Sequence, residues 1–199
     1  MTDPNSPAAC LQLDRLLYIS QQDAQPAITG TLCQDGVYLL PGQEVAPSDA
    51  LTAATTLAAE LAGPLNMAGR AEQSDTDTPF LPFVLPEPLT PEALEGDVPG
   101  WLGLLPPPTD QPNALQISVQ PSAFRLLEQL NERGGAGQTD TFYSPADLGA
   151  IRAVSETFAR LSDARTVSVR VGGVAVLVLD LGRTATGLWA GLASLRIET

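Results

Sequence analysis

The sequence predicts an α/β protein, an α-β-α sandwich built on a largely antiparallel or mixed sheet. Three observations near its end carry that expectation. Thr166 to Val171 alternates strictly between polar and apolar residues, the pattern of a half-buried strand. Gly172-Gly173 follows, a two-residue hairpin signal, because primed turns need positive φ and glycine adopts it without steric cost. Val174 to Leu181 then runs apolar on both faces, which marks a strand covered on both sides. A strand buried on two faces needs a layer on each, and interleaved helices supply both.

The elements follow in order. Ser6 caps a predicted helix with Pro7 at its first position, and Leu13, Leu16 and Leu17 give it one apolar face down to Tyr18 or Ile19. Ser20 to Gln25 is a polar loop. Ala27 to Leu32 and Val37 to Leu40 read as two strands around the turn Gln34-Asp35-Gly36. Ser48 caps a second helix, with Leu51, Ala54, Leu57, Ala58 and Leu61 at helical spacing and Gly63-Pro64 as its stop. Leu115, Ile117 and Val119 alternate as a short strand. Ser122 caps a helix carrying Phe124, Leu127 and Leu130 that stops at Gly134. Ser144-Pro145-Ala146-Asp147 opens the last helix, with Leu148, Ile151, Val154, Phe158 and Leu161 along one face. After the hairpin and the polar turn Asp180 to Gly187, Leu188 to Ile197 returns as a third strand. The sequence stops at Glu198-Thr199, at the expected tip of a core strand.

A length of 199 residues predicts one domain over 1–199. Residues 64–112 stand apart within it as a proline-rich, acidic insertion. Eleven of the 18 prolines fall there, a density that forbids long helices and central strands. Phe80, Phe83, Val84, Leu85, Trp101 and Leu102 make the segment too apolar for a free linker, so an irregular segment laid across the domain is expected, mobile around Glu72–Thr78.

Composition excludes several functions. The net charge is −13, with 23 acids against ten cations, all arginine. Residues 165–199 hold four arginines and two acids, so residues 1–164 hold six arginines and 21 acids. That balance argues against gripping a nucleic acid backbone and for a basic protein partner. With no lysine, the run Gly134-Gly135-Ala136-Gly137 is no phosphate cradle. With no histidine, the commonest general base and transition-metal ligand are missing. There is no Gly-x-Ser-x-Gly elbow and no metal-ligand spacing, and the acid pair Asp75/Asp77 reads as solvated surface. No catalytic residue, bound metal or cofactor is therefore expected. No apolar run reaches membrane-spanning length and no export signal is visible, so a cytoplasmic protein is expected. Cys10 and Cys33 make no disulfide framework and are read as reduced, mostly buried thiols.

The pattern Gly172-x-Val174, Gly182-x-Thr184, Gly187, Ala190-Gly191 and terminal Glu198-Thr199 resembles the end of the nuclease A inhibitor family, small inhibitors of sugar-non-specific nucleases. The match runs without a gap from Arg170, and a second, weaker one lies at Leu16-Leu17-Tyr18-Ile19-Ser20. The resemblance implies an α-β-α fold and a non-specific endonuclease as partner. It implies that Thr199, after Glu198, reaches the partner's catalytic magnesium, an ion that prefers oxygen ligands. Where the family has a glutamate after the serine of the first loop, this sequence has Gln21; Asp23 stands two residues on. Phe142 approximates a family aromatic contact, and Asp140 lies where the family has an amide. The alternative is a family-fold interaction module that no longer inhibits a nuclease and binds another partner through its acidic, proline-rich surface.

Overall fold

The computed structural model describes residues 10–13, 27–67, 79–107, 115–121, 145–171 and 175–197. Strands Cys10–Gln12 (β1), Thr31–Cys33 (β2) and Tyr38–Leu39 (β3) are followed by helix Asp49–Met67 (α1) and strand Leu81–Leu85 (β4). Two short helices come next, Pro91–Gly96 (α2) and Val98–Leu102 (α3), then strand Leu115–Pro121 (β5) and helix Pro145–Phe158 (α4). The chain continues through Ser162–Val171 (β6), Ala175–Arg183 (β7) and Trp189–Ile197 (β8). The strands form a three-stranded sheet, β1-β2-β3, and a five-stranded sheet, β4-β8-β7-β6-β5, with every strand pair antiparallel. The protein is thus a mixed helix and antiparallel-sheet structure.

β7 is the middle strand of the larger sheet, and each of its residues from Ala175 to Gly182 is buried. Its apolar run needs cover on both faces and has it. Leu177, Leu179 and Leu181 face one cluster, shared with Phe83, Tyr38 and Leu102. On the opposite face Leu192 of β8 packs with Leu61, Leu65, Ile151, Val154 and Phe158 of α1 and α4. Ala54 and Ala58 let α1 settle close onto Val84 and Ala190. Helices α1 and α4 therefore cover one face, and the small sheet with α2 and α3 covers the other. Gly182 makes this possible locally, since a Cβ there would collide with the Leu161 side chain.

β6 begins earlier than the alternation indicates, at Ser162, and its pairing with β7 shifts register between Ser162 and Arg165. Asp163 at that irregularity has φ of 52°, the only positive φ outside glycine among the described residues.

Four expectations are corrected. Residues 10–12 are a strand, not helix, because they pair antiparallel with β2, and Leu13 donates its amide to Gly30. Cys10 lies directly opposite Cys33, and the two form a disulfide rather than reduced thiols. Cys10 is also exposed rather than buried. Helix α1 does not stop at Gly63-Pro64 but carries Pro64 inside and runs to Met67. Proline removes one helical donor there, yet the last turn is held from outside. Leu65 is fully buried, and the Asn66 side chain clasps Phe80, donating Nδ2 to its carbonyl at 2.8 Å and accepting its amide at 2.9 Å.

The proline-rich stretch is more ordered than an irregular insertion. It supplies β4, an outer strand of the larger sheet with Phe83, Val84 and Leu85 buried, and both short helices. The prolines sit where they cost least. Pro91 opens α2 after the Thr90 cap, and Pro99 stands in the first turn of α3 after the Asp97 cap. Leu94, Val98 and Leu102 are buried in the main cluster, so this stretch builds core.

The predicted helix around Leu16, the loop Ser20–Gln25, the segment Glu72–Thr78, the helix from Ser122 to Gly134 and the Gly172-Gly173 turn lie outside the described residues.

Candidate functional site

The six residues predicted to meet a partner, Gln21, Asp23, Asp140, Phe142, Glu198 and Thr199, all lie outside the described residues. The structure instead defines the scaffold that precedes the last two. β8 is held between β4 and β7 over Trp189–Ala193 and, among the described residues, by β7 alone from Ser194 to Ile197. Trp189 anchors its start: the side chain is fully buried and its indole N–H donates to the Leu89 carbonyl at 2.9 Å. Ile197, opposite Ala175, is the last described position, two residues before Thr199.

The sharpest buried polar geometry lies where the two sheets meet. Tyr38 is buried, stacks on Phe83 with ring centroids 4.9 Å apart, and donates its hydroxyl to the Leu102 carbonyl at 2.7 Å. Burial pushes its phenol well above the ordinary value of 10.0, and the Gly30 backbone amide offsets this in part. A phenol held neutral and already donating is a structural strut, not an acid or base at neutral pH. The second buried group is Asp180, which accepts from the Thr166 hydroxyl at 2.5 Å across directly paired positions of β6 and β7.

A groove of about 380 Å³ runs beside the cystine, between Asp35, Val37 and Leu39 on one side and Val45, Ser48, Leu51, Thr52 and Thr55 on the other. Its polar groups are largely committed to holding the fold. Asp35 accepts from the Val37 amide at 3.2 Å, Ser48 caps α1 through the Leu51 amide at 3.1 Å, and Thr52 and Thr55 donate to backbone carbonyls. The groove therefore offers an apolar floor without a set of convergent reactive groups. Among the described residues no group of three or more His, Cys, Asp or Glu side chains could hold a metal ion.

The surface electrostatics are one-sided. Arg165 pairs with Glu95 at 2.5 Å, Arg160 with Glu60 at 3.2 Å and Arg183 with Asp163 at 3.8 Å. Asp35, Glu44, Asp49, Glu87, Glu92 and Asp97 add further exposed carboxylates. Glu92 is held below its ordinary value, first by its own backbone N–H and the Thr90 hydroxyl at the start of α2, then by Arg165 and Arg183. Together these carboxylates present a negative field. None of the described helices is long and apolar enough to cross a membrane.

No protein-family model matches the chain, and no curated protein matches it significantly. What sequence reasoning missed is the cystine. The three-residue strand that carries Cys10 leaves both Cys10 and Leu11 exposed, so it has no alternation that could stand against a helical cap at Ser6.

Proposed function

We propose that this chain is a protein inhibitor of a sugar-non-specific, magnesium-dependent DNA and RNA nuclease. It acts by occupying the enzyme's site and has no catalytic chemistry of its own. The observation that carries this reading is β8, an inner strand of the larger sheet whose pairing to β7 continues to Ile197. A strand paired as far as Ile197 supports the reading that Glu198 and Thr199 are presented to the partner from a fixed point. An oxygen donor delivered from a fixed point loses less entropy on binding than one on a free tail. The partner's magnesium accepts hydroxyl or carboxylate oxygens, directly or through its waters.

The acidic surface supports the same partner. A nuclease that holds phosphates carries a basic rim, and a net charge of −13 complements it while repelling nucleic acid itself. On this reading Gln21, Asp23, Asp140 and Phe142 also contact the partner. The α-β-α arrangement of the nuclease A inhibitor family, a single domain over residues 1–199 and a cytoplasmic location shared with the nuclease belong to the same proposal. The cystine argues against the last point, because reducing compartments disfavour disulfides unless they are redox-active.

The test is titration of a co-encoded non-specific nuclease with the purified protein. Stoichiometric inhibition is expected. Deleting Thr199, or extending the chain beyond it, weakens inhibition by about 2–4 kcal/mol if the contact is a hot spot, without unfolding the protein. Inhibition unchanged by both alterations would rule out the plug.

A further inference from the structure

We propose that β5 is a self-association edge through which two copies of this chain join their five-stranded sheets in an antiparallel, two-fold pairing centred on Ser118. β5 is the last strand of the order β4-β8-β7-β6-β5, and among the described residues no strand lies beyond it. Its seven residues pair with β6 in unbroken register, from Leu115 opposite Val171 to Pro121 opposite Arg165. A strand of this kind leaves a row of outward N–H and C=O groups available for another strand.

Among the described residues the usual protections of an edge are missing. Natural edges carry charged side chains, bulges, a proline within the run or very short strands. β5 has no charged residue in a chain with 33 of them, 23 acidic and ten basic, and its only proline is the last residue. Its pairing with β6 has no bulge. Its side chains are exposed or half-exposed on both faces, and Ile117 keeps 36 % of its surface in solvent.

The occupant follows from the sequence of the strand. Leu-Gln-Ile-Ser-Val-Gln-Pro is nearly symmetric about Ser118. Turned antiparallel on itself, it sets Ile117 against Val119 on one face and Gln116 against Gln120 on the other, with Ser118 facing its own copy. Both β-branched pairs and both amide pairs are favourable cross-strand neighbours, and no like charges meet. A two-fold interface requires this self-complementarity, which a strand evolved for an unrelated partner does not need. The two copies repel at long range because each is strongly acidic, so added salt strengthens the pairing.

The test uses the full chain. Sedimentation velocity over a concentration series should show a monomer–dimer equilibrium that shifts toward dimer as salt rises. Ile117→Lys places like charges beside the axis and should abolish the dimer with an unchanged far-ultraviolet circular dichroism spectrum. Ser118→Cys should give a disulfide-linked dimer on a non-reducing gel, because residues at the axis approach within bridging distance. Thr186→Cys, on the exposed turn before β8, should not. A single monomer boundary at every concentration overturns the proposal, as does cross-linking of Ser118→Cys no greater than that of Thr186→Cys. Should Ile117→Lys fail to fold, the cysteine pair decides.

Discussion

The Tyr38 hydroxyl donates to the Leu102 carbonyl at 2.7 Å and thereby ties the small sheet to the end of the proline-rich segment. The ring lies over Gly30, where any Cβ would overlap its phenol, and against Phe83 of the larger sheet. One side chain thus joins three parts of the fold that are distant in sequence. Tyr38→Phe keeps the packing but leaves the Leu102 carbonyl without this donor, and is expected to cost about 1–3 kcal/mol. Gly30→Ala should cost a similar or larger amount, about 1–3 kcal/mol or more, because the clash is with a ring that cannot turn away. Urea unfolding of the three proteins checks both values.

The same residue gives a pH dependence with a defined sign. Its folded-state phenol is raised above the ordinary value of 10.0 by burial, so the folded state holds the proton more tightly than the unfolded chain. The associated stability is fully present below pH 10.0 and declines as the pH rises above it toward the folded value. Stability measured by denaturation between neutral pH and pH above 10.0 should fall, and Tyr38→Phe should flatten that fall. An equal slope in both proteins would assign the loss to other groups.

The cystine should be visible in solution and matter to stability. Native protein is expected to show no reactive thiol, and reduction should release two. The bridge closes a loop between positions 23 residues apart, so replacing both cysteines by alanine should cost about 2–4 kcal/mol. Most of the loss should register as faster exchange of amides in β1, because that strand has three residues and, among the described residues, pairs on one side only.

The proposed inhibition makes two kinetic predictions. Association with the nuclease should slow as salt rises, because opposite charges steer it; the same salt should favour the β5 pairing, where like charges oppose it. Gln21→Glu would add a negative charge at that position, and about tenfold tighter inhibition is expected, the effect of one added close charge pair worth about 1.4 kcal/mol. Stopped-flow association and tight-binding titration measure the two effects separately.

Much of the architecture was legible in the residues because its signals are local. The period of two in Thr166–Val171, the unbroken apolar run that became β7 and the helical spacing of Leu61, Ile151 and Val154 each report which faces meet a core. Capping residues act over a single turn, so Ser48 also marks a start that the structure keeps.

Other features depend on partners far away in sequence. Pro64 reads as a stop, yet α1 continues, because Leu65 has a buried place to fill and Asn66 has the Phe80 backbone to hold. Prolines at 82, 91 and 99 read as irregular chain, yet β8 offers an outer position and the main cluster a pocket, so strand and short helices form there. Cys10 and Cys33 are two thiols in the sequence and one cystine in the fold, because only the β1–β2 register sets them opposite each other. Sequence alone determined which residues seek burial, which turns are permitted and that the surface is acidic, since those follow from side-chain chemistry and near neighbours. Tertiary structure decided which marginal segments became ordered and which side chains met, because the free energy that settles those choices comes from contacts across the sheets.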